Sequence, residues 1–200
     1  VPGEEPLPAW VPLPSPHLVP NALAALAVAI RLGVDPAAAV AGLAAYVPTG
    51  NRLRVLPVGD MTLLDDSYNA SPESMVAAFA ALAALPSPGR RIAALGGMLE
   101  LGEFSGPLHR VTGAAAAARS IDRLYCCGPW AEEMAQGFRE ALLEAGRPGD
   151  AMAFPDRGSL ESALLPDLRP DDAILVKGSR GFAMEEVVAA IVASALGTAP

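Results

Sequence analysis

"LLDDSYNASPESMVAAFAALAALP", Leu63 to Pro86, decides how the whole chain is read. Its first residues close an apolar strand pattern, "RLRVLPVGDMTLLDD", which reads as two strands joined at Val58-Gly59-Asp60. Three polar or aromatic residues, Ser67, Tyr68 and Asn69, follow. Then Ser71, Pro72 and Glu73 supply a helix N-cap, a pre-set first position and a negative charge near the positive helix end. The alanine- and leucine-rich run after them is a helix, so the stretch is a strand handing over to a helix through a polar turn. The same unit then recurs. Strands "RRIAALGG", "IDRLYCCG", "AMAF" and "DAILVKGSRG" alternate with helices "SGPLHRVTGAAAAARS", "PWAEEMAQGFREALLEAG", "DRGSLESALLPDL" and "AMEEVVAAIVASAL". Alternation of this kind predicts an α/β fold, with a Rossmann-like, mainly parallel sheet covered by helices on both faces. The near-continuous apolar runs "RIAAL", "RLYCC" and "AILVK" suit parallel strands buried on both sides.

Upstream, the pattern is different. Residues 1–20 are proline-rich and read as extended. Asn21 is placed to cap a helix through "ALAALAVAIRLG", with Gly33 as its stop, and Asp35-Pro36 start a second helix over "DPAAAVAGLAAY". The breaker cluster "VPTGN", Val47 to Asn51, reads as a boundary between a small helical segment, 1–50, and the α/β domain, 51–200. The opening residues lack an initiator methionine and read as a piece of something longer; no signal peptide is expected.

Composition narrows the function. The 200 residues are 52% hydrophobic but only 5% aromatic, so the core must be built mainly from Ala, Leu and Val. The greasiest run, "ALAALAVAI", is about half of what a bilayer requires and ends at Arg31, so no membrane insertion is expected. A net charge of −8 disfavours nucleic acid as a partner. An anionic small molecule would need locally concentrated cations or N–H groups. Nothing in the pattern requires an oligomer. The only cysteines, Cys126 and Cys127, are neighbours on a strand and point to opposite faces. Two buried thiols in a reducing cytoplasm fit that placement better than a disulfide, a redox pair or a metal site.

Sheets of this class bind ligands at the carboxyl ends of their strands. Three polar or glycine-rich turns, "DDSYNAS", "GGMLELGE" and "KGSRG", each follow a strand. In the first, one of Asp65 and Asp66 faces the ligand side and can accept ribose hydroxyls, Tyr68 offers a flat ring to a base or sugar, and Asn69 offers donor and acceptor together. The plainer alternative is a turn decorated by two carboxylates, with Tyr68 packed on the next helix. "GGMLELGE" clusters backbone N–H groups beside Glu100 and Glu103, or is a solvated loop. In "VKGSRG", Lys177, Ser179 and Arg180 stand just ahead of a helix start, a favourable place for a carboxylate or phosphate. The chain has no Walker A loop and no nucleophile elbow. His17 and His109 have no neighbouring cluster that would bind a metal, and His109, inside a helical pattern, reads as structural. No metal-binding or catalytic residue is assigned.

Taken together, "DDSYNASPESM", "MLELGE…LH", "LVKGSRG…MEEVV", "PHLVPNALAALAVAIRLGV" and "GNRL" resemble the Mur ligase family, in order and over about His17 to Val188. The resemblance implies the end of a central ATP-binding domain (1–50) followed by a C-terminal ligase domain (51–200). It implies an ATP- and magnesium-dependent amide ligase of bacterial cytoplasm. Such an enzyme joins D-alanyl-D-alanine to UDP-N-acetylmuramoyl tripeptide through an acyl phosphate, with the phosphate loop outside this chain. By the same resemblance His17, Asn21, Arg52, Asp66, Tyr68 and Asn69 would meet the nucleotide. Lys177, Ser179 and Arg180 would meet the incoming amino component. Leu18, Gly97 and Ser71 depart from the family's usual residues. A folylpolyglutamate synthase-like domain and a non-catalytic nucleotide-binding module are the alternatives.

Overall fold

The computed structural model describes residues 6–12, 19–46 and 50–197. The chain divides into two compact units, one ending at residue 49 and one starting at Gly50. The first holds two helices, α1 (Val19–Arg31) and α2 (Pro36–Ala44). α1 starts three residues earlier than the sequence suggests, so Asn21 sits inside its first turn and is not its cap. Pro20 tolerates that early position because the N–H it lacks would have no helical partner there. α2 starts as read: the Asp35 carboxylate accepts a hydrogen bond from the Ala38 N–H at 3.0 Å, with Pro36 at the first position. No side chain of either helix is buried.

The second unit is a six-stranded sheet in the order β1 (Arg54–Val58), β2 (Met61–Asp66), β6 (Ala173–Lys177), β3 (Arg91–Gly96), β4 (Arg123–Cys127), β5 (Asp150–Phe154). Only β1 is antiparallel. It joins β2 through Gly59-Asp60, where Gly59 takes the left-handed φ of +58° that a two-residue hairpin turn favours. Strict alternation along the strands builds two cores. Leu64, Ala93, Leu95, Leu124 and Cys126 face α3 (Pro72–Ala84), α4 (Ser105–Ala117) and α5 (Ala131–Glu144). Leu63, Ile92, Ala94, Ile174 and Cys127 face α6 (Arg157–Leu164) and α7 (Glu185–Ala195). The two cysteines therefore divide between the faces. Both are free, and burial raises the Cys126 thiol pKa well above the ordinary range and pushes Cys127 up to about 11. Among the described residues no helix is long and apolar enough to cross a membrane.

Within the second unit most local signals hold where they were read. Ser71 caps α3 in a reciprocal box with Ser74, each side-chain oxygen accepting from the other residue's N–H, at 3.3 and 2.9 Å. α7 is the exception. Its expected start at Ala183 is displaced to Glu185, because a short 3-10 turn, Arg180–Phe182, intervenes and Ala183 itself is left-handed at φ +48°. The topology places the site. The chain runs from β2 through α3 to β3 and leaves a gap that β6 later fills. The connection after β6 leaves for the opposite face from α3 and α4, and such a reversal opens a crevice at the carboxyl ends of the strands.

Candidate functional site: a cleft at the carboxyl ends of β2, β3 and β6

The three turns singled out from sequence meet at this crevice. A cleft of about 720 Å³ is lined by Tyr68, Asn69, Ala70 and Ser71 after β2, by Leu99, Glu100 and Leu101 after β3, and by Ser179, Arg180 and Gly181 after β6. Next to its Asn69 wall stands an ion pair set by strand register. Asp66 and Lys177, the last residues of β2 and β6, are direct partners across the parallel ladder. The Lys177 ammonium donates to Asp66 Oδ2 at 2.5 Å and to the Asn69 carbonyl at 2.9 Å. Lys177 is only 2% exposed, and burial lowers its pKa, an effect the Asp66 carboxylate opposes.

That geometry sets Lys177 against a partner within its own chain. The resemblance places Lys177 on the side of the incoming amino component; in the structure its ammonium meets the carboxylate of Asp66. Asp66 Oδ1 also accepts from the Leu53 N–H at 3.0 Å. The bond holds Leu53 at a left-handed φ of +49° and so fixes the segment that carries Arg52. Asp65 turns away from the rim and closes a turn onto the Ser67 N–H and hydroxyl, at 3.1 and 2.6 Å. Asn69 spends its side-chain oxygen on the Ala70 N–H at 2.9 Å.

Ser179 ties the three loops together. Its N–H donates to the Gly97 carbonyl at 3.0 Å, and its hydroxyl donates to the Ala70 carbonyl at 3.3 Å and accepts from the Leu99 N–H at 3.0 Å. The Met98 N–H is used as well, donating to His109 Nε2 at 2.9 Å, while His109 Nδ1 donates to the Ser105 carbonyl at 2.6 Å. These bonds make His109 a neutral, structural ring, and burial lowers its pKa. They also remove the N–H groups of Met98 and Leu99 as anion donors, so the loop after β3 contributes Leu99, Leu101 and the left-handed Glu100 (φ +64°) as walls. Lys177, Ser179 and Arg180 do not stand at a helix N-terminus, since α7 begins five residues after Arg180.

Arg180 and Arg52 remain at the mouth. The guanidinium carbon of Arg52 lies 4.2 Å from the Tyr68 ring centroid, and that of Arg180 lies 5.4 Å from it. Tyr68 thus stands at the rim, half-exposed, and is not packed on a helix. Arg52, Asp66, Tyr68, Asn69, Lys177, Ser179 and Arg180 are brought together; Asn21 belongs to the first unit. His17 and the departure at Leu18 lie outside the described residues.

Sequence reasoning missed Leu53 and Phe182. The Phe182 ring packs into a slot where a Cβ on Gly97 would come within 2.8 Å of it and one on Gly128 would overlap it. The glycines at the ends of "RRIAALGG" and "IDRLYCCG" were the only signal of that close approach. The space also accounts for Gly97 in this chain, since a side chain there would displace Phe182 and crowd His109 Nε2 at 3.3 Å.

Comparison with known proteins agrees with this architecture. Residues 51–180 match the family described as Mur ligase, glutamate ligase domain. UDP-N-acetylmuramoyl-tripeptide--D-alanyl-D-alanine ligase of Bacillus subtilis is 32% identical over 188 residues, covering 94% of this chain and 40% of the relative. The Escherichia coli enzyme of the same name is 39% identical, covering 90% of this chain and 38% of the relative. The chain therefore spans about two fifths of the length of these relatives. The crystal structure of MurF ligase from Thermotoga maritima in complex with ADP superposes with a TM-score of 0.70 at 26% identity, over 96% of this chain and 40% of that one. On the residues matched and the fold shared, the chain belongs to the Mur ligase family.

Proposed function

We propose that the chain is the C-terminal part of an ATP-dependent amide ligase that joins D-alanyl-D-alanine to UDP-N-acetylmuramoyl tripeptide. In this reading residues 1–50 are the end of the ATP-binding domain and residues 51–200 the ligase domain. The observation that carries it is the cleft mouth, where Arg52 and Arg180 both lie against Tyr68, whose neighbour Asn69 accepts from the Lys177 of the Asp66–Lys177 pair. An anionic protein has concentrated cations at the place where a parallel sheet receives its ligand.

The chemistry is a carboxylate attacking the terminal phosphoryl group of ATP, with ADP leaving. The dipeptide amine then attacks the acyl carbon, and phosphate and a proton leave. Within this scheme Arg52 orients nucleotide phosphate, Asp66 and Asn69 bound the nucleotide side of the rim, and Arg180 meets the amino component. Lys177 and Ser179 act by fixing the loops. The apolar Leu99 and Leu101 and the acidic Glu100 suit a small dipeptide with a cationic amine end. Among the described residues no group of three or more His, Cys, Asp or Glu is placed to hold a metal, so magnesium would be held by residues elsewhere and no step is assigned to it here. The chain also has no G-x-x-x-x-G-K-[ST] loop, and phosphoryl transfer would depend on residues outside it.

The test is ligation by the full-length protein encoded around this chain. Muramoyl tripeptide plus D-alanyl-D-alanine is expected to react and folate plus glutamate to fail, with Arg52→Met and Arg180→Met each costing 10-fold or more in kcat/KM, roughly one charge-assisted contact. The 200-residue chain alone is expected to show neither ligation nor ATP hydrolysis. Reaction with folate, or robust ligation by the chain alone, would overturn the proposal.

A further inference from the structure

We propose that Phe182 is a positioning residue for Arg180: its ring, lodged between the ends of β3 and β4, fixes the turn that presents the guanidinium to the cleft. The positioning is a matter of geometry, and only its kinetic consequence rests on the ligase reading above. Between Gly178 and Glu185, Arg180 is the sole cation. An arginine has many rotamers, so a guanidinium held ready for a ligand gains from a backbone that does not move.

Arg180 stands between two anchors. Ahead of it, Ser179 is tied to Gly97, Ala70 and Leu99. Behind it, the 3-10 turn Arg180–Phe182 carries the Phe182 ring into the sheet end. The Phe182 N–H donates to the Ser179 carbonyl at 2.9 Å, and the Ala183 N–H donates to the Arg180 carbonyl at 3.1 Å. Three glycines wall the slot that takes the ring. A Cβ on Gly96 would come within 2.8 Å of Phe182 Cβ, one on Gly97 within 2.8 Å of Phe182 Cζ, and one on Gly128 would overlap the ring. The ring therefore meets backbone on each of these sides, and backbone does not rotate away. Beyond it, Ala183 holds a left-handed φ of +48°, a conformation that a non-glycine residue keeps only where its surroundings over-determine it. Arg157 supplies part of that restraint. Its guanidinium donates to the Ala183 carbonyl at 3.1 Å and to Glu186 at 3.2 Å.

This restraint serves the cleft more than the core. On that face of the sheet Val176, Met184 and Val187 are fully buried, whereas Phe182 is partly buried and packs at the margin of the cluster. Its immediate neighbour Gly181 lines the cleft, and a Cβ there would approach Leu99 Cδ1 within 2.9 Å. Gly97 departs from the residue usual in the family, and the ring occupies the room that a side chain there would need, so slot and ring belong together in this chain. Leucine at 182 keeps the branch next to Gly96 and lacks the outer atoms that reach Gly97 and Gly128. Phe182→Leu is thus the variant that unlocks the turn while keeping an apolar side chain in the slot.

The test has an NMR arm on the 200-residue chain and a kinetic arm on the full-length protein. Arg52 and Arg180 both lie against Tyr68, whose ring current displaces their Nε–H signals, so Arg52 is the internal control. Phe182→Leu is expected to move the Arg180 signal toward that of a free arginine and to leave the Arg52 signal in place. Gly97→Ala, which pushes the ring from the other side, is expected to do the same. In the full-length protein Phe182→Leu should lower kcat/KM by roughly tenfold, the cost of a misplaced contact. The loss should divide between the KM for dipeptide, the KM for ATP and kcat as it does in Arg180→Met. In an Arg180→Met background the same change should cost less than about twofold, because the group it positions is gone. Gly97→Ala combined with Phe182→Leu should lose no more than Phe182→Leu alone. Urea midpoints of each variant separate out stability, which a purely structural role would lower equally with and without Arg180. An Arg180 signal that moves in neither variant, a kinetic loss of the same size in both backgrounds, or an active enzyme indifferent to Phe182→Leu would each overturn the proposal. A parent protein that does not ligate sinks the ligase reading, and the NMR arm then decides the positioning role alone. Gly97→Ala decides it if Phe182→Leu does not fold.

Discussion

Lys177 is a cation with almost no water around it, held by the carboxylate that pairs with it across the sheet and by the Asn69 carbonyl. Removing one member of such a pair leaves the other charge buried, which is costlier than the pair itself is stabilising. Lys177→Met is therefore expected to destabilise the chain by about 3 kcal/mol, and adding Asp66→Asn to that variant to recover part of the loss. Urea midpoints of the two single variants and the double variant measure this; strict additivity would refute the coupling. His109 gives a pH test. Burial holds its pKa below the ordinary 6.5, against the hydrogen bond to the Ser105 carbonyl and the charge of Glu133. Above pH 6.5 both folded and unfolded chains carry the neutral ring. Below it the unfolded chain takes up a proton that the folded one resists, so stability falls with pH until the folded pKa is reached, by at most about 1.4 kcal/mol per pH unit. His109→Gln should be less stable at pH 7.5 and should lack that part of the decline between pH 6.5 and 5. An unchanged slope in urea titrations at those pH values would remove His109 as the cause.

At the scale of elements, the tightest packing is between α4 and α5, and glycine makes it possible. A Cβ on Gly113 would overlap the Met134 carbonyl oxygen, and one on Gly137 would overlap the Arg110 carbonyl oxygen, so each helix offers a glycine to the other's backbone. Alanine is the better helix former by about 1 kcal/mol, which on its own would favour Gly113→Ala. Here the clash is with backbone, which cannot rotate away, and overpacking of that kind costs about 1–3 kcal/mol or more. Gly113→Ala is expected to lower stability by about 2 kcal/mol net. Gly42→Ala in α2, which has open space, should instead raise helix content slightly. Thermal and urea unfolding of the two variants decides whether packing or propensity wins at each place. In the sequence both kinds of glycine interrupt an apolar helical pattern in the same way, and only the partner helix separates them. The displaced start of α7 was illegible for a similar reason: Ala183 is left-handed, a conformation that alanine does not advertise.

Across the molecule, what the sequence made legible was local. Alternating strand and helix patterns, the Ser71 and Asp35 caps and the period-two split of Cys126 from Cys127 all follow from neighbours in the chain. The pairing of Asp66 with Lys177 and the meeting of Arg52 with Arg180 depend on β6 entering between β2 and β3, which no local pattern encodes. The same insertion makes the second unit self-sufficient. Its two cores lie on either side of one sheet, and Arg90 and Asp172, with Asp167 beside them, close the rim opposite the cleft at 2.6 and 3.0 Å. Tyr125 reinforces that rim: its hydroxyl donates to Asp167 at 2.8 Å, and burial together with that carboxylate pushes its pKa up to about 12. The first unit differs. None of its helical side chains is buried, and Leu23, Val28, Ile30 and Leu32 are exposed. Residues 50–200 alone are therefore expected to unfold in a single cooperative transition, followed by near-UV circular dichroism at Tyr125 and Trp130. The 200-residue chain should bind more of a hydrophobic dye such as ANS than the shorter piece does, because α1 presents apolar surface to water. A gradual, non-cooperative melt of residues 50–200 would mean that the sheet and its two cores do not suffice for a folded domain. Equal dye binding by the two chains would mean that the apolar face of α1 is covered in solution.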